Sequence, residues 1–86
     1  MTFAKWVKII LKNPVIKDKR ETDELIYTVG EPFDKNLGKI NQIHINGDQI
    51  VISCNSPENN EMISVGIPIN SNVLKYYYGK NSMKIS

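Results

Sequence analysis

Cysteine is nearly absent from this chain. Cys54 is the only one, so no intramolecular disulfide can form. That excludes the disulfide-stapled secreted scaffolds and favours a reducing compartment. Histidine is as scarce, with His44 alone. A structural zinc site needs about four ligands, mostly Cys and His, which the chain cannot supply. The five glycines are isolated, so there is no phosphate-cradling loop. No apolar run approaches the ~20 residues of a membrane span. The residues before Ala4 carry no basic n-region, and Lys5 and Lys8 interrupt the first apolar stretch, so no signal peptide is expected. These absences together lead to the expectation of a cytoplasmic protein with no membrane contact, no metal and no cofactor.

What is present is isoleucine, thirteen of them in 86 residues, more than a disordered segment carries. A single domain over residues 1–86 is expected. The Lys, Ile and Asn bias is that of AT-rich coding, as in a low-GC bacterium or its phage. Residues Ile43-His44-Ile45-Asn46-Gly47-Asp48-Gln49-Ile50-Val51-Ile52 form the clearest local signal. Asn-Gly between alternating apolar residues marks a β-hairpin. Whether the loop is Asn46-Gly47 or runs from Asn46 to Gln49, Ile43, Ile45, Ile50 and Ile52 share one face. Ile63, Val65, Ile67 and Ile69 repeat the spacing as a third strand. The core is expected to contain Ile43, Ile45, Ile50, Ile52, Val65 and Ile67.

The remaining elements read less clearly. Phe3, Trp6, Val7, Ile10 and Leu11 fit a helical stripe, while the run from Trp6 to Leu11 is rich in β-formers. Strand is preferred, with an amphipathic helix at residues 3–12 as the alternative. Asn13 to Glu24 reads as an irregular loop or frayed hairpin, Leu25 to Val29 as a strand closed by Gly30 and Pro32, and Asp34 to Gly38 as a turn. Ser71 can cap a helical turn running through Tyr78, with Gly79 at its end. The tail from about residue 80 reads as loose, with Met83 and Ile85 able to add a short edge strand. The expected fold is mainly β, a small five-stranded antiparallel barrel or roll with a short C-terminal helical turn. The helical alternative at the N-terminus would make it α+β.

The residues from Glu21 to Phe33 resemble the acidic loop, second strand and diverging turn of Src-homology-three domains. Gly47 to Ile52 stands where that family has Gly-Asp-Trp-Trp, and Val65-Gly66-Ile67-Pro68 through Val73 is similar to its Gly-x-Ile-Pro-Ser-Asn-x-Val ending. The resemblance spans roughly Glu21 to Val73 and implies a small barrel. Gln49-Ile50 replaces the tryptophan pair that lines the proline-peptide groove, so polyproline recognition is not implied.

The formal net charge of +2 is partitioned. Residues 1–20 carry +5, residues 21–61 carry −6, and residues 62–86 carry +3. If the two basic ends meet, they form a positive face; otherwise they pair with the acidic middle. Neither His44 nor Cys54 has the neighbours that catalysis requires, and Glu21, Asp23 and Glu24 read as solvated loop charge or as a contact for a basic partner. No enzyme is expected. Tyr76, Tyr77 and Tyr78 are the least ordinary feature. On a helical turn at most two of the rings can be buried together, so at least one must be exposed. Together with Lys75 and Lys80 they form the expected partner-binding site of a small protein-binding module or inhibitor. The alternative is a nucleic-acid-binding barrel, with Lys5, Lys8, Lys12, Lys75 and Lys80 on phosphates and the tyrosines stacking on bases.

Overall fold

The computed structural model describes residues 2–17, 19–34 and 37–81. Seven strands run in the order β1 (Thr2–Ala4), β2 (Trp6–Lys17), β3 (Arg20–Thr28), β4 (Ile40–Asn46), β5 (Gln49–Asn55), β6 (Met62–Pro68) and β7 (Val73–Gly79). They make two antiparallel sheets, one ordered β1-β4-β5-β6 and the other β3-β2-β7. The protein is therefore mainly β. The five-stranded barrel is corrected to two sheets that do not close on each other.

The first strand region is β structure, not the alternative helix. Val7, Ile9 and Leu11 are buried while Trp6, Lys8 and Ile10 are half-buried, an alternation of period two. Lys5 is a bend between β1 and β2, so consecutive residues feed different sheets. Of the two readings of Asn13 to Glu24, irregular loop or frayed hairpin, the hairpin holds: the stretch is the paired end of the β2–β3 hairpin. Lys17 pairs with Arg20, and Lys19 takes a φ of 65°. The β2–β3 pairing slips between Ile10 and Val15, where Pro14 offers no N–H.

The isoleucine hairpin has the expected faces. Ile43, Ile45, Ile50 and Ile52 are all buried and join Ile40, Val7, Ile9, Leu11, Ala4 and Tyr27 in one core. Asn46 pairs with Gln49, so the loop is Gly47-Asp48, and of its two residues only Gly47 has a positive φ, 62°. That is the pattern of a type II′ turn, with glycine at its first central position. Ile67 packs against the core, whereas Val65 is half-buried outside the central cluster.

The C-terminal helical turn is absent. Asn70 Oδ1 accepts the Asn72 N–H at 2.9 Å and the Asn70 carbonyl accepts the Val73 N–H at 3.0 Å, closing a turn from which the chain leaves extended. Val73 and the tyrosines then pair along β2, where β-favouring side chains outweigh the capping signal at Ser71. A register shift between Ile10 and Leu11 leaves Leu74 as the extra residue of a bulge on β7. The suggested edge strand at Met83 and Ile85, and most of the tail beyond residue 80, lie outside the described residues. Among the described residues no helix is long and apolar enough to cross a membrane.

Candidate functional site

Side chains directly opposite one another in adjacent strands share a face. Because Val7, Ile9 and Leu11 point into the core, Trp6, Lys8 and Ile10 point outward from the three-stranded sheet. Their neighbours complete three outward rows: Thr28, Trp6 and Gly79; Ile26, Lys8 and Tyr77; Glu24, Ile10 and Lys75. Ile26 is 46% exposed and Tyr77 47%. The Trp6 indole lies so close over Gly79 that any Cβ there would overlap the ring. Glycine at this place lets the indole lie flat across β7 and extends the apolar surface.

Charges frame these rows. Lys8 Nζ is 3.2 Å from Glu24 Oε1, an exposed pair worth ~0–1 kcal/mol. Lys75 Nζ stands 5.7 Å from the centre of the Tyr77 ring. The acidic residues expected in a loop, Glu21, Asp23 and Glu24, lie on β3, the edge strand of this sheet. Pairing of β2 with β7 also brings the basic ends together. Lys8 and Lys75 share the outer face, and Lys5 and Lys80 line one cleft of about 260 Å3 with Asn41 and Gln42.

The expected tyrosine site is divided by strand alternation. Tyr77 and Lys75 face outward. Tyr76, opposite Ile9, is half-buried against the core. Tyr78, opposite Val7, lies on the same side as Tyr76, with ring centroids 6.3 Å apart and 43% exposure. Lys80 follows β7 and belongs to the cleft. Trp6 and Ile26 were not among the expected site residues, and Lys8 was expected only as a phosphate contact of the nucleic-acid alternative. The signal that could have found Trp6 is its phase: a large ring one residue off the Val7, Ile9, Leu11 alternation must point away from the core.

The two groups with catalytic potential are placed apart from this face. His44 is half-buried, 5.8 Å from the Phe3 ring, with Nδ1 closed off from solvent and without a hydrogen-bond partner. Phe3, itself exposed on the neighbouring β1, lies against it. Cys54 is fully buried. Its burial, and then the negative charge of Asp34, push the thiol above its ordinary value of 9.0. A thiol held protonated is a poor nucleophile. Among the described residues no group of three His, Cys, Asp or Glu could hold a metal ion.

The thiol has a measurable consequence. The unfolded chain ionises Cys54 at its ordinary pKa, while the folded chain resists ionisation to higher pH. The stability linked to this group is fully present below the ordinary value and is lost as pH rises above it. Chemical denaturation under reducing conditions at pH 8 and pH 10 should therefore show a steeper alkaline loss in the wild type than in Cys54→Ala. Equal slopes would mean that the thiol is not desolvated.

No family model matches the chain, and no curated protein or solved structure matches it either.

Proposed function

We propose that this protein is a small non-enzymatic binding module or inhibitor that recognises another protein through the outer face of the β3-β2-β7 sheet. One observation carries the reading. Exposed Ile26 and Tyr77 and half-buried Trp6 and Ile10 lie side by side on a face that no described strand covers, with Lys8, Lys75 and Glu24 among them. An aromatic and aliphatic centre bearing charges of both signs is the usual anatomy of a protein contact. The likeness to Src-homology-three domains is part of this proposal. A long first hairpin, a turn at Glu31-Pro32, a β4-β5-β6 meander and a last strand returning to β2 support it. The contact face proposed here is not the peptide groove of that family. A cytoplasmic location is proposed with it, supported by the single thiol being buried and reduced.

The runner-up is single-stranded nucleic acid, favoured by two aromatic rings and two lysines on one face. The Lys8–Glu24 pair and the acidic β3 edge weigh against it.

The test starts from a partner captured by the wild-type protein and measured in purified form. Tyr77→Ala should weaken that affinity by ~1–3 kcal/mol and leave the melting temperature nearly unchanged. Tyr76→Ala should lower the melting temperature. Partner affinity untouched by Tyr77→Ala and by Ile26→Asp would move the contact elsewhere. Submicromolar binding to an oligonucleotide, with a salt slope that falls by about 1 in Lys8→Ala or Lys75→Ala, would establish the runner-up instead.

A further inference from the structure

Among the described residues the two sheets have four edges, and three of them carry devices that block further strand pairing. The β1 edge is three residues long. The β3 edge bears Arg20, Glu21, Asp23 and Glu24. The β7 edge is broken by the bulge at Leu74 and bears Lys75. The β6 edge is seven residues long, and no charged residue occurs between positions 62 and 74.

Hydrogen bonds at the two ends of β6 fix which backbone groups face outward. The Ser56 N–H donates to the Glu61 carbonyl at 2.7 Å, and the Ile69 N–H to the Asp48 carbonyl at 2.6 Å. These bonds bracket the pairs Asn55–Met62 and Gln49–Pro68, which are therefore non-hydrogen-bonded pairs of the antiparallel ladder. Alternation then commits Ile63, Val65 and Ile67 to β5. The N–H groups of Met62, Ser64 and Gly66, and the carbonyls of those residues and Pro68, point to the other side. No strand pairs there among the described residues.

We propose that this edge pairs with the same edge of a second copy of the chain. The strands run antiparallel about a two-fold axis at Val65, joining two four-stranded sheets into one continuous sheet. In this register Ser64 lies opposite the second copy's Gly66, and Met62 opposite its Pro68. Each copy's Met62, Ser64 and Gly66 N–H groups donate to the other's Pro68, Gly66 and Ser64 carbonyls. Pro68, which has no N–H, falls at the outer end, where its missing donor leaves only the solvent-facing Met62 carbonyl unmatched. Half-buried Ile63, Val65 and Ile67 meet their counterparts on one face, and the exposed Met62, Ser64, Gly66 and Pro68 meet on the other. Charge selects the second copy as occupant. A lysine or glutamate near the axis would stand opposite or diagonal to its own like charge in the second copy, and this strand has neither. An isologous pairing of this kind closes at two copies.

Sedimentation velocity from micromolar to ~1 mM should show a concentration-dependent monomer–dimer equilibrium. Gly66→Pro removes an outward N–H that β5 does not use, and should weaken dimerisation about tenfold or more without unfolding the monomer. Ser64→Lys keeps the backbone intact and should weaken it by repulsion between the two lysines, which become diagonal neighbours across the axis. Amide exchange at Ser64 and Gly66 should be fast in dilute protein and slowed in concentrated protein. A monomer at every concentration would overturn the proposal, as would a dimer indifferent to both variants. Slow exchange of those two amides in the monomer would also overturn it, by showing that the chain covers this edge itself.

Discussion

Ile50→Ala should lower the unfolding free energy by about 3 kcal/mol. Ile50 is fully buried and lies between Ile45 on β4 and Ile67 on β6. The truncation leaves a cavity that this sheet cannot fill, because its neighbours are themselves isoleucines held at one rotamer by β-branching. A domain of this size has about a third to a half of its stability at stake in such a loss. Urea denaturation of the two proteins, with equal slopes, measures it. A difference below ~0.5 kcal/mol would contradict the register of the β4–β5–β6 meander.

Gly38→Ala should be comparably damaging, by about 2 kcal/mol or more, for a different reason. A Cβ at Gly38 would stand 2.5 Å from the Asn55 carbonyl oxygen. The obstacle is backbone, and it is pinned from both sides. The Gly38 N–H donates to that same oxygen at 2.7 Å, and the Asn55 N–H donates to the Lys39 carbonyl at 3.2 Å. The substitution must therefore break the contact that ties the β3–β4 connection to the end of β5. Gly66→Ala is the control. Its new methyl would meet only the amide end of the Gln49 side chain, at 3.3 Å, which can swing aside. Thermal unfolding should show a large shift for Gly38→Ala and a small one for Gly66→Ala. Similar shifts would point to loss of glycine as such.

The hairpin was legible in the sequence because two signals agreed there, alternation of isoleucine and a glycine at the turn. Of the two loops the sequence left open, the turn is the one from Asn46 to Gln49, since a type II′ loop needs only one positive φ and Asp48 accepts the other position. At the C-terminus the signals conflicted. Ser71 and Gly79 read as helix caps, while Val73 and three tyrosines favoured a strand. What decided was the open side of β2, a partner more than sixty residues away in the chain that no local pattern encodes. Of the candidate site only Tyr77 and Lys75 were foreseen, for the same reason. Tyr77 joins Trp6 and Ile26 only through the register of three strands, and the error at residues 71–78 hid that register.

The bend at Lys5 has a consequence in time. Residues 2–17 serve both sheets, through β1 on β4 and β2 on β3 and β7. Trp6, near the start of the chain, has Gly79 as its partner. During synthesis the ribosome releases β2 first and its second neighbour last. The core side of β2, with Val7, Ile9 and Leu11, stays incompletely covered until β7 has emerged. Pairings between distant parts of a chain form slowly. The three-stranded sheet is thus held incomplete until β7 is available, and a nascent chain stalled before residue 79 exposes an unfinished sheet.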